Sequence, residues 1–135
     1  MSGNFVLPIR VYYEDTDAAS VVYYANYLKY LERARTEWLR ALGFDQGALM
    51  ARTGLGFAVR SISAEYLKPA RLDDALQVIS RIESHGRVQV VFDQRIERGE
   101  QTLLTAKVRI ACMDLNRGKA APMPLDIYQQ FEKLT

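Results

Sequence analysis

One cysteine, Cys112, and one histidine, His85, occur in 135 residues. A single cysteine excludes an intrachain disulfide, and one cysteine with one histidine cannot make a conventional tetrahedral zinc site. No metal is expected. His85 falls in a predicted turn without a serine or cysteine in motif context, which argues against a nucleophilic triad, and no Gly-x-Ser-x-Gly elbow occurs. No run of eighteen apolar residues is present, and Met1-Ser2-Gly3-Asn4-Phe5 lacks the charged and apolar segments of a secretion signal. A cytoplasmic protein with no membrane span is expected. Charge imbalance is equally scarce: 18 Lys+Arg against 16 Asp+Glu leave +2. The basic residues form no stripe, and neither a phosphate loop nor zinc-finger spacing appears, so no nucleic-acid partner is expected.

What remains is an ordinary globular composition, 49% apolar and 25% charged, without repeats or low-complexity tracts. The length fits a single domain spanning residues 1–135. Alternation predicts a first strand over Phe5–Tyr13, with Ile9, Val11 and Tyr13 on one face and Arg10 and Tyr12 on the other. Near Tyr24 the period changes to that of a long amphipathic helix. Tyr24, Leu28, Leu31, Arg35, Trp38, Leu39 and Leu42 share its apolar side, with Lys29, Glu32, Arg33, Glu37 and Arg40 opposite. Gly43 supplies the stop, and Arg33 with Glu37 forms an i,i+4 pair.

Asp45 is positioned to cap a short helix running to about Ala51, ended by Gly54 and Gly56. Phe57–Leu67 is apolar on both faces, which predicts a largely buried strand with a bulge near Ser61. Three alternating runs follow, around Leu76–Ile82, Val88–Ile96 and Leu104–Cys112. The glycine-containing connections His85-Gly86 and Arg98-Gly99-Glu100 join them as an antiparallel meander. Asp126–Leu134 completes the chain as a helix with Ile127, Phe131 and Leu134 on one side. Pattern alone gives an α+β class: an antiparallel sheet whose apolar face is covered by the long helix. Cys112 belongs to the apolar set of its strand, which favours inert burial.

Between the first strand and the long helix lie Glu14, Asp15 and Asp17. A helix start offers unpaired N–H groups and the positive end of a dipole, both able to polarise a carbonyl oxygen. A carboxylate beside such donors suits acyl transfer. By pattern alone, however, a loop aspartate serves a turn or cap far more often than catalysis.

The residues Tyr12-Tyr13-Glu14-Asp15-Thr16-Asp17-Ala18, then Val21-Val22-Tyr23-Tyr24-Ala25-Asn26-Tyr27-Leu28 and Glu32-Arg33-Ala34-Arg35-Thr36-Glu37-Trp38-Leu39, carry a resemblance. It continues through Glu65-Tyr66-Leu67-Lys68-Pro69-Ala70-Arg71-Leu72-Asp73-Asp74 and so covers nearly the whole chain. The sequence resembles the hot-dog-fold acyl-CoA thioesterases, of the Tol-Pal-cluster and 4-hydroxybenzoyl-CoA branches. This resemblance implies a hot-dog fold, an antiparallel sheet wrapped around one long central helix. It implies hydrolysis of an acyl-CoA to a carboxylic acid and CoA with no cofactor. A homodimer or homotetramer with the site across a subunit interface is implied as well.

The same resemblance makes Asp17 the nucleophile or general base and sets the backbone N–H of Tyr24 on the thioester carbonyl. Glu14 and Asp15 then orient the loop. Tyr24 stands where the Tol-Pal branch commonly has histidine and agrees with the tyrosine of the other branch. Ala19-Ser20 replaces a small, usually glycine-containing pair. CoA brings an anionic nucleotide end that favours basic contacts. Arg87 lies where the 4-hydroxybenzoyl-CoA branch has such contacts, and Lys68 and Arg71 flank the next loop. Either CoA or an acyl-carrier protein can supply the thiol, and a non-catalytic acyl-CoA or acyl-carrier-protein binding module on the same fold is the alternative.

Overall fold

In the computed structural model, which describes residues 3–135, the chain opens with β1 (Phe5–Arg10) and a single 3-10 turn (Tyr13–Asp15). Then come α1 (Tyr24–Ala41), α2 (Gln46–Thr53), β2 (Leu55–Tyr66), β3 (Ala75–His85), β4 (Gln89–Arg98), β5 (Gln101–Asp114), β6 (Lys119–Ala120) and α3 (Leu125–Leu134). The strand order is β1-β3-β4-β5-β2, with β6 on the end of β5, and every pairing is antiparallel. Short turns therefore join β3 to β4, β4 to β5 and β5 to β6. α1 carries the chain from one edge, β1, to the other, β2.

The sheet curls around α1 because both bury apolar faces that water would otherwise meet. Tyr27, Tyr30, Leu31, Ala34, Trp38 and Leu39 form the buried side of the helix and join one core with Leu76, Val78, Phe92, Ile96, Leu104 and Val108. Trp38 stacks on Phe5 at 5.8 Å and meets Phe92 edge-on at 5.9 Å, so it bridges β1 and β4. Its replacement by alanine would cost about 3–5 kcal/mol. Phe131 of α3 closes the far end against Phe92.

One polar contact fixes how the helix lies on the sheet. Buried Arg35 donates to Gln94 Oε1 at 3.0 Å, and Gln94 Nε2 donates to Leu31 O and Ser80 Oγ. Burial lowers the Arg35 pKa, while the charge of Glu32 opposes that shift. A buried network of this kind tolerates one register only, because any slip leaves polar groups unpaired.

The termini of the helices follow local chemistry. Gly43 at φ +95° lets its N–H reach Arg40 O while Phe44 N–H reaches Leu39 O, a double bond pattern that ends α1. Asp45 Oδ1 accepts from Ala48 N–H at 3.0 Å to start α2, and Gly54 at φ +74° ends it. The bulge expected near Ser61 lies between Val59 and Ser61.

Several sequence expectations are corrected. The first strand stops at Arg10, because Tyr13 enters the 3-10 turn and stands 82% exposed. β2 is not largely buried: it is a sheet edge, with Val59 48% and Ile62 38% exposed. Tyr24 belongs to the exposed start of α1, and the buried seam passes instead through Tyr27 and Tyr30. Glu37 pairs with Arg40 rather than Arg33, whose guanidinium lies over the Tyr30 ring. The short strand β6 has no periodic signal and was not expected. Among the described residues, no helix is long and apolar enough to cross a membrane.

Candidate active site

The loop between β1 and α1 is held by backbone and side-chain hydrogen bonds together. Asp15 Oδ2 accepts from Tyr12 N–H at 2.9 Å and closes the 3-10 turn. Thr16 bridges Val22, and Val21 bridges Arg71. Within that closure Asp17 N–H donates to Val21 O, and Ser20 N–H donates to Asp17 O, both at 3.0 Å. Asp17 Oδ1 accepts from Ala19 N–H at 2.9 Å. This is the side-chain turn an aspartate favours. It orients the carboxylate and leaves Oδ2 without a hydrogen-bond partner among the described residues. Ser20 takes φ +66°, a left-handed conformation costing about 1 kcal/mol that glycine adopts freely.

α1 starts without a side-chain cap and without an acidic residue in its first turn. Tyr23 N–H is used by Asp15 O at 3.0 Å, and Asn26 N–H returns to Tyr23 O at 2.8 Å. Among the described residues no acceptor meets the N–H groups of Tyr24 and Ala25, which stand at the positive end of the helix dipole. A carbonyl oxygen gaining negative charge is the acceptor such donors stabilise.

Beside this helix start lies a depression of about 290 Å³ lined by Tyr24, Tyr27, Tyr66, Leu67, Lys68 and Pro69. Tyr66 Oη donates to Tyr24 O at 3.3 Å, and its ring meets Tyr27 edge-on at 5.5 Å. Burial raises the Tyr66 pKa, with Tyr24 and Tyr27 adding to it, so the phenol stays neutral and able to donate. Tyr27 Oη accepts from Ala70 N–H at 2.9 Å and so anchors the loop that follows β2.

Asp17, Tyr24, Lys68 and Arg71 are thus gathered at one end of the molecule. Lys68 sits on the rim of the depression, and Arg71 is tied by its backbone to Val21 and to Asp74 Oδ2. Arg87 lies elsewhere. It follows the far end of β3, a strand of 11 residues, or about 36 Å. There it donates to Met123 O at 3.0 Å and lies 5.3 Å over the Tyr128 ring. His85 is at that same end, 5.4 Å from Tyr128. Cys112 is buried, and burial raises its thiol pKa, so it stays a packed side chain.

Tyr66 and Asn26 were not singled out by the sequence, although both lie inside the stretches that carry the resemblance. Their contacts span 42 and 11 residues, separations that no local pattern encodes. A second cavity, about 100 Å³, lies along the later half of α1, lined by Arg35, Leu39, Phe57, Phe92 and Phe131 among others. None of its lining residues belongs to the Asp17 loop.

Comparison with known proteins bears on the class of protein to which this loop and helix start belong. The sequence profile of the thioesterase-like superfamily matches residues 11–131. The chain is 40% identical to acyl-CoA thioesterase YbgC of Haemophilus influenzae over 134 residues, 99% of this chain and 98% of that one. It is 47% identical to acyl-CoA thioester hydrolase YbgC of Escherichia coli over 130 residues, 96% of each. In structure it is similar to a probable thioesterase from Bartonella henselae, with 36% identity and a TM-score of 0.85 over 90% of this chain and 99% of the other. The chain belongs to the thioesterase-like superfamily and has its hot-dog fold.

Proposed function

We propose that this protein is an acyl-CoA thioesterase whose reacting groups are the Asp17 carboxylate and the N–H of Tyr24. The observation that carries this reading is the pairing of an oriented carboxylate, one oxygen still free, with an uncapped helix start to which its loop is bonded. The similarity to acyl-CoA thioesterases supports it. The thioester oxygen accepts from Tyr24 N–H and gains charge there. Asp17 then follows one of two routes. It attacks the carbonyl carbon, expelling CoA thiolate and leaving a mixed anhydride that water opens, or it takes a proton from the water that attacks. Both routes end in a carboxylic acid and CoA. Lys68 and Arg71 lie where cations can meet the phosphates of CoA.

The working unit of this reading is a dimer. β2 ends the sheet with unpaired backbone groups and exposed Val59, Ile62 and Tyr66, an edge that a second copy covers by antiparallel pairing. Pairing centred on Ile62 sets Tyr66 of one protomer opposite Ala58 of its partner, next to Phe57. The 100 Å³ cavity of one protomer then faces the Asp17 loop of the other and takes the acyl group. Arg87 moves to that same end, since Val88 O bonds Cys112 and Cys112 pairs with Phe57.

Release of free thiol from short-chain, long-chain and aromatic acyl-CoAs tests the function. At least one should be turned over. Tight binding of acyl-CoA without thiol release would establish the binding module instead.

A further inference from the structure

Asn26 Nδ2 donates to the carbonyl of Asp15 at 2.9 Å. The same carbonyl takes Tyr23 N–H at 3.0 Å, so both of its lone pairs are used. These two bonds differ in what they connect. Tyr23 is the extended residue before the helix, and its bond ties one flank of the loop to the other. Asn26 stands inside the first turn of α1, its own N–H bonded to Tyr23 O. Its side chain is therefore the direct tie between the loop and the rigid helix.

The loop needs such a tie. Asp17 through Ser20 are exposed, Ser20 holds a strained backbone, and the bonds of Asp17 to Ala19, Ser20 and Val21 are all internal to the turn. They would persist if the turn swung as a unit away from α1. We infer that Asn26 is a positioning residue that fixes the distance between the Asp17 carboxylate and the Tyr24 N–H by holding Asp15. This rests on the reading of Asp17 and Tyr24 as the reacting pair. Only a donor serves, because the group it holds is a carbonyl acceptor.

Two variants test it, Asn26→Ala and the near-isosteric but donor-free Asn26→Asp. A misplacement of about 1 Å can cost on the order of 10²-fold, so kcat should fall about 10- to 100-fold in both, with KM within about threefold. A carboxylate in the first turn favours the helix dipole, so Asn26→Asp should melt no lower than Asn26→Ala while remaining impaired. A merely structural role would make activity follow melting temperature. Amide exchange read by mass spectrometry should rise in residues 15–22 of Asn26→Ala and stay unchanged in β3, β4 and β5. Unchanged loop exchange, or wild-type kcat in Asn26→Ala, would overturn the inference. If the wild type itself releases no thiol, the catalytic reading falls with its positioning residue, while loop exchange still reports whether the tie exists.

Discussion

Arg98 donates to Asp74 Oδ2 at 2.7 Å, joining the end of β4 to the loop that carries Arg71. Burial by itself would raise the Asp74 pKa. The Arg71 N–H at 2.8 Å, the Arg98 hydrogen bond and the charges of both arginines overcome it and hold the carboxyl below its ordinary value. A depressed carboxylate adds stability above its unfolded pKa of about 3.9 and loses it as pH falls through the folded value. Asp74→Asn should therefore lower the melting temperature at pH 7, by the equivalent of about 0.2–1 kcal/mol for a partly exposed pair. The difference should close below pH 4. An equal penalty at pH 7 and pH 3 would show that packing, not charge, holds this loop.

Asp17→Asn keeps the size of the side chain and an oxygen for Ala19 N–H, so the loop should fold as before. It removes the base or nucleophile, and turnover should fall by roughly 10²-fold or more. Asp15→Asn should do much less, since the Asp15 side chain accepts from Tyr12 N–H and an amide oxygen can do the same. Equal losses in the two variants, or an active Asp17→Asn protein shown by mass to be free of deamidation, would reassign the catalytic carboxylate.

The elements legible in the sequence are those with one wet and one dry face. β3, β4 and β5 alternate because one side of each meets the core, and α1 shows a stripe for the same reason. The edge position of β2 was hidden. Its apolar residues read as buried on both sides, whereas the folded chain leaves Val59, Ile62 and Tyr66 exposed. Asp17 and Tyr24 came from the family motif, because pattern alone cannot tell a catalytic aspartate from a turn aspartate. The walls of the site were less legible still. Tyr66 meets Tyr24 only because β2 returns past the start of α1, a consequence of the crossover between sheet edges.

Tyr30 is fully buried, and its hydroxyl has no hydrogen-bond partner among the described residues. Burial raises its pKa, and the nearby Asp15 carboxylate raises it further. An unpaired buried hydroxyl costs about 1–3 kcal/mol, so Tyr30→Phe should raise the melting temperature by a few degrees. The sign decides. A fall of similar size would show that the hydroxyl pairs with Asp15 in solution. With a raised folded pKa, the wild type should also lose stability as pH climbs past about 10, and the phenylalanine variant should lose less.

Arg87 separates the two halves of the proposed site. Within one protomer it is committed to Met123 O and the Tyr128 ring, a strand length away from Asp17. In the proposed dimer, antiparallel pairing of β2 edges would bring it near a thioester bound by the partner. A phosphate contact remote from the reacting carbonyl binds ground and transition states alike, so Arg87→Ala should raise KM for acyl-CoA about tenfold with kcat nearly unchanged. A pantetheine thioester lacking the nucleotide phosphates should show no such rise. High salt should shrink the effect for the full substrate, because exposed charges are screened. Equal impairment with full and truncated thioesters would confine Arg87 to anchoring the segment before α3. The contacts to the nucleotide would then fall to Lys68 and Arg71, which already stand beside the helix start.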